Sequence, residues 1–477
     1  MKKPFRLAGF VEFEGITFPF EFDENAFLLR LYTPSVEEWE KRSSPSYFFH
    51  NLDRFDTTEH KWVECIELHG KTHTRNNVLF YVSSDFGNDN GFICFDVIWY
   101  YYYADDLTES NIECFRLSGK DVDNFHWPSR AMNTTMSFCE TGCQLQKLDI
   151  DLNDHNLLDC GSYALNTSTT VHIEAKSIVN YNSLANQPIT ANSIITSVFS
   201  HNIDVHQLVS AIKNLQLFLQ YVTYRKNIDI NDVDVGFLTN EGKRDYSGLF
   251  VMRKTNHELE DEKKARERII RSTLLEKHAG AILDLINQDK LIFHHICDCI
   301  GDRQHYNQAR MIMVFTAFER EYANIYGQDT ERSEEYLTVK AEIIQLIDEY
   351  KDRQTIAKRK TYAKDLRKFV DSRDRSSGAN MKYAFNDCKD ILVPFIRRKY
   401  KGEYDEVVSK ISERMNSLRN GLVHSRLDIE LEAIHLADIN SMEELLYAMR
   451  LKALGIEGIK IQYAINELFN ENFAISR

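Results

Sequence analysis

The chain has 477 residues, 43% of them apolar, which is enough to bury a large core and to form two or three domains. It has nine cysteines, no run of 18 apolar residues and no N-terminal apolar stretch with a small-residue cleavage site. It therefore reads as a soluble chain of a reducing compartment, the cytoplasm, with no membrane partner. The formal charge of −14 excludes a uniformly basic nucleic-acid binder, but the charge is unevenly spread: residues 301–477 hold 29 Lys and Arg against 29 Asp and Glu, so all the acidity lies in the first 300 residues.

Residues 1 to about 200 read as β-rich. Val11 and Phe13, then Ile16, Phe18 and Phe20, alternate around a Glu14-Gly15 turn as in a hairpin. Further strands are expected at 78–83, 92–103, 112–117, 148–152, 170–175 and 194–199, with Phe86 to Gly91 as a loop. The segment from Gly91 to Ala104 is too short and too interrupted by Asp96 to span a membrane, and is a strand. Trp99, Tyr101 and Tyr103 fall on one of its faces and Tyr100 and Tyr102 on the other. Such aromatics stack bases or sugars on a surface, but a two-sided aromatic strand is more often core. His126-Trp127-Pro128 reads as a strand-end turn. A helix begins after Asp204, a good N-cap, and runs through Val222; strand-like segments at 228–237 and 248–252 close this part. The expectation is a sandwich or barrel-like sheet carrying one helix, over residues 1–254.

A charged connector with linking helices is expected over 255–300, including helices at 269–286 and 291–300, followed by an all-α bundle over 301–477. Its helices are placed at 306–326, 334–350, 357–370, 381–400, 404–424 and 442–469, with Pro394 as a point of kinking or shortening. The fold class is therefore α+β and multidomain. Within 351–426 there are 20 basic and 10 acidic residues. That local excess is the footprint of a phosphate-binding surface, or equally of a solvated helix pair.

The most chemically pointed sequence is Arg419-Asn420-Gly421-Leu422-Val423-His424, flanked by Ser425 and Arg426. A guanidinium holds a phosphate through a planar fork of donors, and an imidazole, with an ordinary pKa of about 6.5, moves protons near neutral pH. On a regular helix Asn420 and His424 share a face, whereas Arg419 and His424 are turned about 140° apart. Arginine's reach, loosening at Gly421, or a second copy of the motif across a dimer axis reconciles them. Capping of helix carbonyls by Arg419 and His424 is the bland alternative.

An Arg-Asn-x-x-x-His set at the end of the penultimate long helix of an all-α module resembles the signature of the HEPN superfamily. With a β-rich N-terminal half and an amphipathic connector, the whole chain is similar to ApeA-like HEPN proteins of bacterial abortive-infection, anti-phage defence. The resemblance implies a metal-independent endoribonuclease without cofactor, in which the ribose 2′-OH attacks the adjacent phosphorus to leave 2′,3′-cyclic phosphate and 5′-OH ends. His424 would move the proton, Arg419 would clamp the phosphate, and Asn420 would orient one or the other. RNA (at family level, tRNA), a homodimer with two facing motifs and a phage-derived trigger are the implied partners. Some HEPN proteins supply an acidic partner from the first long helix. Here Glu319 is in register with Ile312 and Phe315 and so can point towards the motif helix, with Glu321 nearby, although a solvated or structurally paired carboxylate is the commoner state of such a residue. HEPN toxins silenced by nucleotidylation carry a Tyr two residues beyond the motif His, where this chain has Arg426.

The remaining candidates are weaker. Ser425 and Arg426 are possible supporting residues, and Arg397, Arg398 and Lys399 bind RNA backbone or simply favour a helix end. Cys139, Cys143, His155 and Cys160 would make a four-ligand zinc set, but the second pair is irregularly spaced and ordinary buried thiols are preferred. His294, His295, Cys297 and Cys299 sit on an apolar segment and read as core. Gly-rich phosphate loops, HExxH and GxSxG elements are missing, which disfavours NTPase, metalloprotease and serine-hydrolase readings. The competing class is a binding protein, whose acidic β-rich half recognises a ligand or phage component while the helices only dimerise.

Overall fold

The computed structural model describes residues 7–42, 55–56, 61–62, 65–89, 92–104, 107–138, 145–152, 157–181, 189–230, 232–239, 243–253, 260–327, 334–372, 377–423 and 431–475. The chain is α+β and divides into two compact units. One comprises Met1–Leu219, Asn227–Leu259 and Ala279–Asp284; the other comprises Gln220–Lys226, Glu260–His278 and Leu285–Arg477.

In the first unit β1 (Leu7–Phe13) and β2 (Ile16–Asp23) form the expected hairpin. Glu14 and Gly15 both have positive φ, 52° and 74°, the two-residue turn whose twist matches paired strands. There follow β3 (Leu28–Tyr32), a short helix α1 (Val36–Arg42), the two-residue strands β4 (Phe55–Asp56) and β5 (Lys61–Trp62), then β6 (Cys65–Thr72), β7 (Asn77–Asp89) and β8 (Phe92–Tyr103). Strands β1, β2, β3, β8, β7 and β6 pair antiparallel in that order and β6 returns to β1, so the sheet closes into a six-stranded barrel. Alternation sends Val11, Phe18, Phe20, Leu29, Leu68 and Phe80 into one apolar core, with Phe20 and Phe80 meeting edge to face at 5.3 Å. A barrel this narrow is filled by its own side chains.

The loop expected from Phe86 to Gly91 is instead mostly strand. Phe86, Gly87, Asn88 and Asp89 pair with Phe95, Cys94, Ile93 and Phe92 after a register shift near Val82. Backbone pairing along β8 overrides the turn-forming composition, a tertiary effect that local propensity does not carry. β8 holds the unit together. One edge pairs with β7; the other pairs with β3 over Phe92–Asp96 and then with β16 over Trp99–Tyr103. Its aromatic run is buried on both faces, Tyr100 and Tyr101 completely.

The chain continues through β9 (Ile112–Ser118), α2 (Lys120–Phe125), the hairpin β10 (Met132–Phe138) and β11 (Leu145–Leu152), β12 (Leu157–Ala164), β13 (Thr170–Tyr181), β14 (Ile189–Ile203), α3 (Val205–Thr223), β15 (Val233–Leu238) and β16 (Arg244–Met252). From β8 the sheet extends in the order β16, β15, β9, β14, β13, β12. The observed architecture is thus a barrel with a sheet extension, where a sandwich or barrel was expected. Asp204 caps α3: its carboxylate accepts from Gln207 N at 2.8 Å while Gln207 accepts from Asp204 N at 3.1 Å. The strand expected from residue 228 begins only at Val233.

The second unit is helical. Short helices α4 (Glu262–Glu267) and α5 (Ser272–Leu275), together with α6 (His278–Asn287), most of which belongs to the first unit, replace the single helix expected over 269–286. The helix expected over 291–300 does not form. Arg225 and Cys297 make a parallel bridge, and Lys226 N donates to Cys297 O at 2.8 Å, so the segment's backbone is engaged outside itself. Then come α7 (Gln308–Tyr326), α8 (Glu334–Arg353), α9 (Ala357–Ser372), α10 (Ser377–Asp387), α11 (Lys389–Lys399), α12 (Tyr404–Val423), α13 (Ala433–Ala453) and α14 (Gly458–Phe469). The expected helix over 381–400 breaks at Cys388, and Pro394 lies inside α11. The amide hydrogen that Pro394 lacks would have bonded the carbonyl of Asp390; Gln462 Nε2 donates to it instead, at 3.0 Å. Gly455, at φ 79°, separates α13 from α14. None of the described helices is long and apolar enough to cross a membrane.

Barrel closure makes one position intolerant. A Cβ on Gly9 would lie 2.1 Å from Lys71 O across the β1–β6 seam. Gly9→Val should lower stability by about 1–3 kcal/mol in chemical denaturation. The same change at its neighbour Phe10, which is half exposed, should have little effect.

Candidate functional site

Helix α12 buries Val408, Ile411, Met415, Leu418 and Leu422 at helical spacing, which turns Arg419 to the rim of the bundle and Asn420 to its surface. Arg419 Nη2 lies 2.8 Å from Glu319 Oε1 on α7. The same carboxylate oxygen accepts from Ser377 Oγ at 2.5 Å, at the first residue of α10. Three helices therefore converge on one guanidinium. α10 approaches closely because its second residue is glycine: a Cβ on Gly378 would lie 3.2 Å from Asn416 Cβ and 3.3 Å from Ser412 O. Among the described residues, the other contact of the guanidinium is Nη1 to Asn420 Oδ1 at 3.5 Å, long for a hydrogen bond. One edge of the fork is anchored by Glu319, and the rest is directed along the surface beside Asn420. Gly421 is part of α12, which is described as far as Val423. His424, Ser425 and Arg426 lie outside the described residues.

Both side chains of the Arg419–Glu319 pair are about one-third exposed, so it contributes little to stability and its effect is orientation. The position of the pair is set by a second, buried set of charges. Arg414, on α12, donates from Nε and Nη2 to the fully buried carboxylate of Asp438 on α13, at 2.7 and 2.8 Å. Glu321, two residues beyond Glu319 on α7, pairs with Arg450 of α13, both being 6% exposed. Burial holds the Glu321 carboxyl above the usual range despite that arginine. Arg310 at the start of α7 binds buried Glu443 at 2.9 Å, and Tyr306 donates to the same carboxylate at 3.0 Å. Thus both Arg419 and Glu319 sit on helices clamped to α13.

The other expected residues are structural or undescribed. Lys399 is only 13% exposed and pairs with buried Glu444, and with Glu471 at 3.5 Å, so it is not a free backbone-binding cation. Burial and the second carboxylate, Glu471, push Glu444 up to about 7 against the pull of Lys399. Arg398 lies over the Phe473 ring at 5.8 Å, and Arg397 is exposed. Cys139, Cys143 and His155 lie outside the described residues. Cys160 is buried and its thiol is pushed up to about 12 by burial. The described residues include no group of three or more His, Cys, Asp or Glu able to hold a metal ion. Burial likewise raises Cys114 to about 11 and Cys297 and Cys388 to about 12, states unsuited to nucleophilic chemistry. His295 is buried and pushed down to about 3, first by desolvation and then by Arg310. Ser377 was not anticipated: it lies between Ser376 and Gly378 with no motif around it, and only that glycine hints at close helix approach.

Comparison of the chain with protein-family models, with curated proteins and with solved structures finds no match.

The two kinds of ion pair should separate in chemical denaturation. Asp438→Ala leaves Arg414 without its buried counter-ion and should cost about 3–5 kcal/mol. Glu319→Gln should cost less than about 1 kcal/mol, because its pair is partly exposed.

Proposed function

We propose that the chain is a metal-independent endoribonuclease of the HEPN type. The observation that carries this reading is the anchored guanidinium of Arg419: Glu319 fixes one edge of the fork, and Asn420 lies alongside, five and four residues before the motif imidazole. A preorganised cation with donors left over suits a phosphodiester whose non-bridging oxygens gain charge during reaction. In the proposed step the ribose 2′-OH gives its proton to His424 and its oxygen bonds to phosphorus. The P–O5′ bond breaks, the departing oxygen takes a proton, and 2′,3′-cyclic phosphate and 5′-OH ends result. Arg419 steadies the phosphate; Asn420 orients it or the imidazole. DNA, lacking the 2′-OH, is excluded as substrate.

The local basic excess within 351–426 supports an RNA partner, for which tRNA is the family-level candidate. In this reading the protein acts in the cytoplasm in anti-phage abortive infection. Two copies face their motifs across one cleft, and the acidic N-terminal unit senses a phage-derived trigger.

Purified wild type, Arg419→Ala and His424→Ala, assayed on RNA in EDTA, should separate by about 10²-fold or more in rate, with unchanged denaturation curves. Wild-type cells should show growth arrest on expression while both variants are tolerated. Equal cleavage by His424→Ala would overturn the assignment and leave a non-catalytic binding and dimerisation role.

A further inference from the structure

The helical unit contains a cavity of about 20 Å³ whose wall mixes apolar and polar side chains. Its lining includes Tyr221 at the end of α3, His295 from the irregular segment 291–300, Ala317 and Glu321 on α7, and Leu446 and Tyr447 on α13. All of these residues belong to the one unit. The wall is mostly apolar, yet Tyr221, His295 and Glu321 are polar and at most 6% exposed. Burying such groups costs free energy unless each finds a hydrogen-bond partner.

Two of these groups have no such partner among the described residues. Tyr221 Oη and His295 Nδ1 are shielded from solvent, and neither meets a protein donor or acceptor. The backbone at both positions is held: Tyr221 O accepts from Tyr447 Oη at 2.6 Å, and His295 O accepts from Tyr224 Oη at 3.4 Å. The side-chain atoms are what is left over. Glu321 Oε1 is taken by Arg450 Nε. Burial, and then Glu321, push the Tyr221 phenol well above its ordinary range, so it is a donor at neutral pH. The imidazole, neutral because burial disfavours its charged form, offers Nδ1 as an acceptor when its proton sits on Nε2. A donor, a neutral acceptor and a carboxylate therefore surround one small volume.

Volume and charge identify the ligand. A cavity needs about 10–15 Å³ to admit one water, which must also find two to four polar partners. This cavity meets both conditions and is too small for an organic ligand. An ionic occupant is not called for, because Glu321 and Arg450 already match each other. A wholly apolar cavity would stay dry, and the polar wall separates the two cases. We propose that the cavity is the site of a resident water, which accepts from Tyr221 Oη and donates to His295 Nδ1 and to the Glu321 carboxylate. This water ties the end of α3, the segment 291–300 and α7 together beside α13. Its bonds hold an irregular segment in place against helices where no protein group supplies them. The inference stands whether or not the chain cuts RNA.

Tyr221→Phe in the full chain distinguishes a wet cavity from a dry one by sign. With water bonded to the phenol, deleting the hydroxyl removes a hydrogen bond, and Tm should fall by about 2–4 °C. With the hydroxyl orphaned in a dry cavity, the same deletion relieves a desolvation cost, and Tm should hold or rise. Ala317→Val puts methyl groups into the cavity and displaces its occupant. Oxygen-17 magnetic relaxation dispersion should then count one long-lived water fewer than in wild type. The Tyr221→Phe measurement decides alone where Ala317→Val does not fold. An unchanged or raised Tm in Tyr221→Phe, or an undiminished count of long-lived waters in folded Ala317→Val, would each overturn the proposal. RNA cleavage is not part of the readout, so failure here and failure of the ribonuclease reading are distinguishable.

Discussion

Helix α13 buries its charges, and each finds its partner on a different stretch of the helical unit: Asp438 with Arg414, Glu443 with Arg310, Glu444 with Lys399, Arg450 with Glu321. An ionised group out of water is tolerated only when matched, so each pair admits very little freedom in how its helix is placed. A purely apolar α13 would let neighbouring helices slide by a turn at small cost. These pairs fix the register of α7 and α12 relative to the same helix, and that is why Glu319 and Arg419, on the outer sides of those two helices, come within 2.8 Å. The candidate site is exposed and weakly stabilised, yet it is positioned by contacts that are neither.

In the proposed ribonuclease that separation has a chemical use. Burying the guanidinium of Arg419 would commit all its donors to protein; leaving it on an unrestrained side chain would cost rotamer entropy whenever it met an anion. Anchoring one edge through a partly exposed carboxylate, itself held by Ser377, restricts the side chain while donors remain for a ligand. In the proposed ribonuclease Glu319 would be a positioning residue, acting through Arg419 and not on the phosphate.

Much of this was legible in the sequence, and the misses have physical causes. The β1–β2 hairpin declared itself because the Glu14-Gly15 turn and the alternation agree. Closure of the barrel was hidden because it depends on β6 returning to β1 and on β8 dividing one edge between β3 and β16, pairings between residues far apart in sequence. β3, β6 and β12 are short or contain charged residues and were overlooked. The segment 291–300 has helical periodicity, but its apolar residues face a core while its backbone bonds to Arg225 and Lys226. At the site, Arg419 and Asn420 came from a motif and Glu319 from helix register. Ser377 could not be found that way, since a serine at a helix start ordinarily serves as a cap. Lys399 looked like surface charge because its partner, Glu444, lies 45 residues on, within a helix whose burial the sequence disguises with acids.

In the proposed ribonuclease the anchored Arg419 and the motif imidazole, five residues on in sequence, drive attack by a ribose hydroxyl on its own phosphodiester. Once the cleaved linkage in an all-ribose RNA has been mapped, the rate at that linkage can be measured in the same oligonucleotide bearing a single 2′-deoxyribose there. Cleavage at the substituted linkage should be abolished while neighbouring linkages remain susceptible. Cleavage at an undiminished rate would mean that the 2′-OH is not the nucleophile, and would contradict the account at its core.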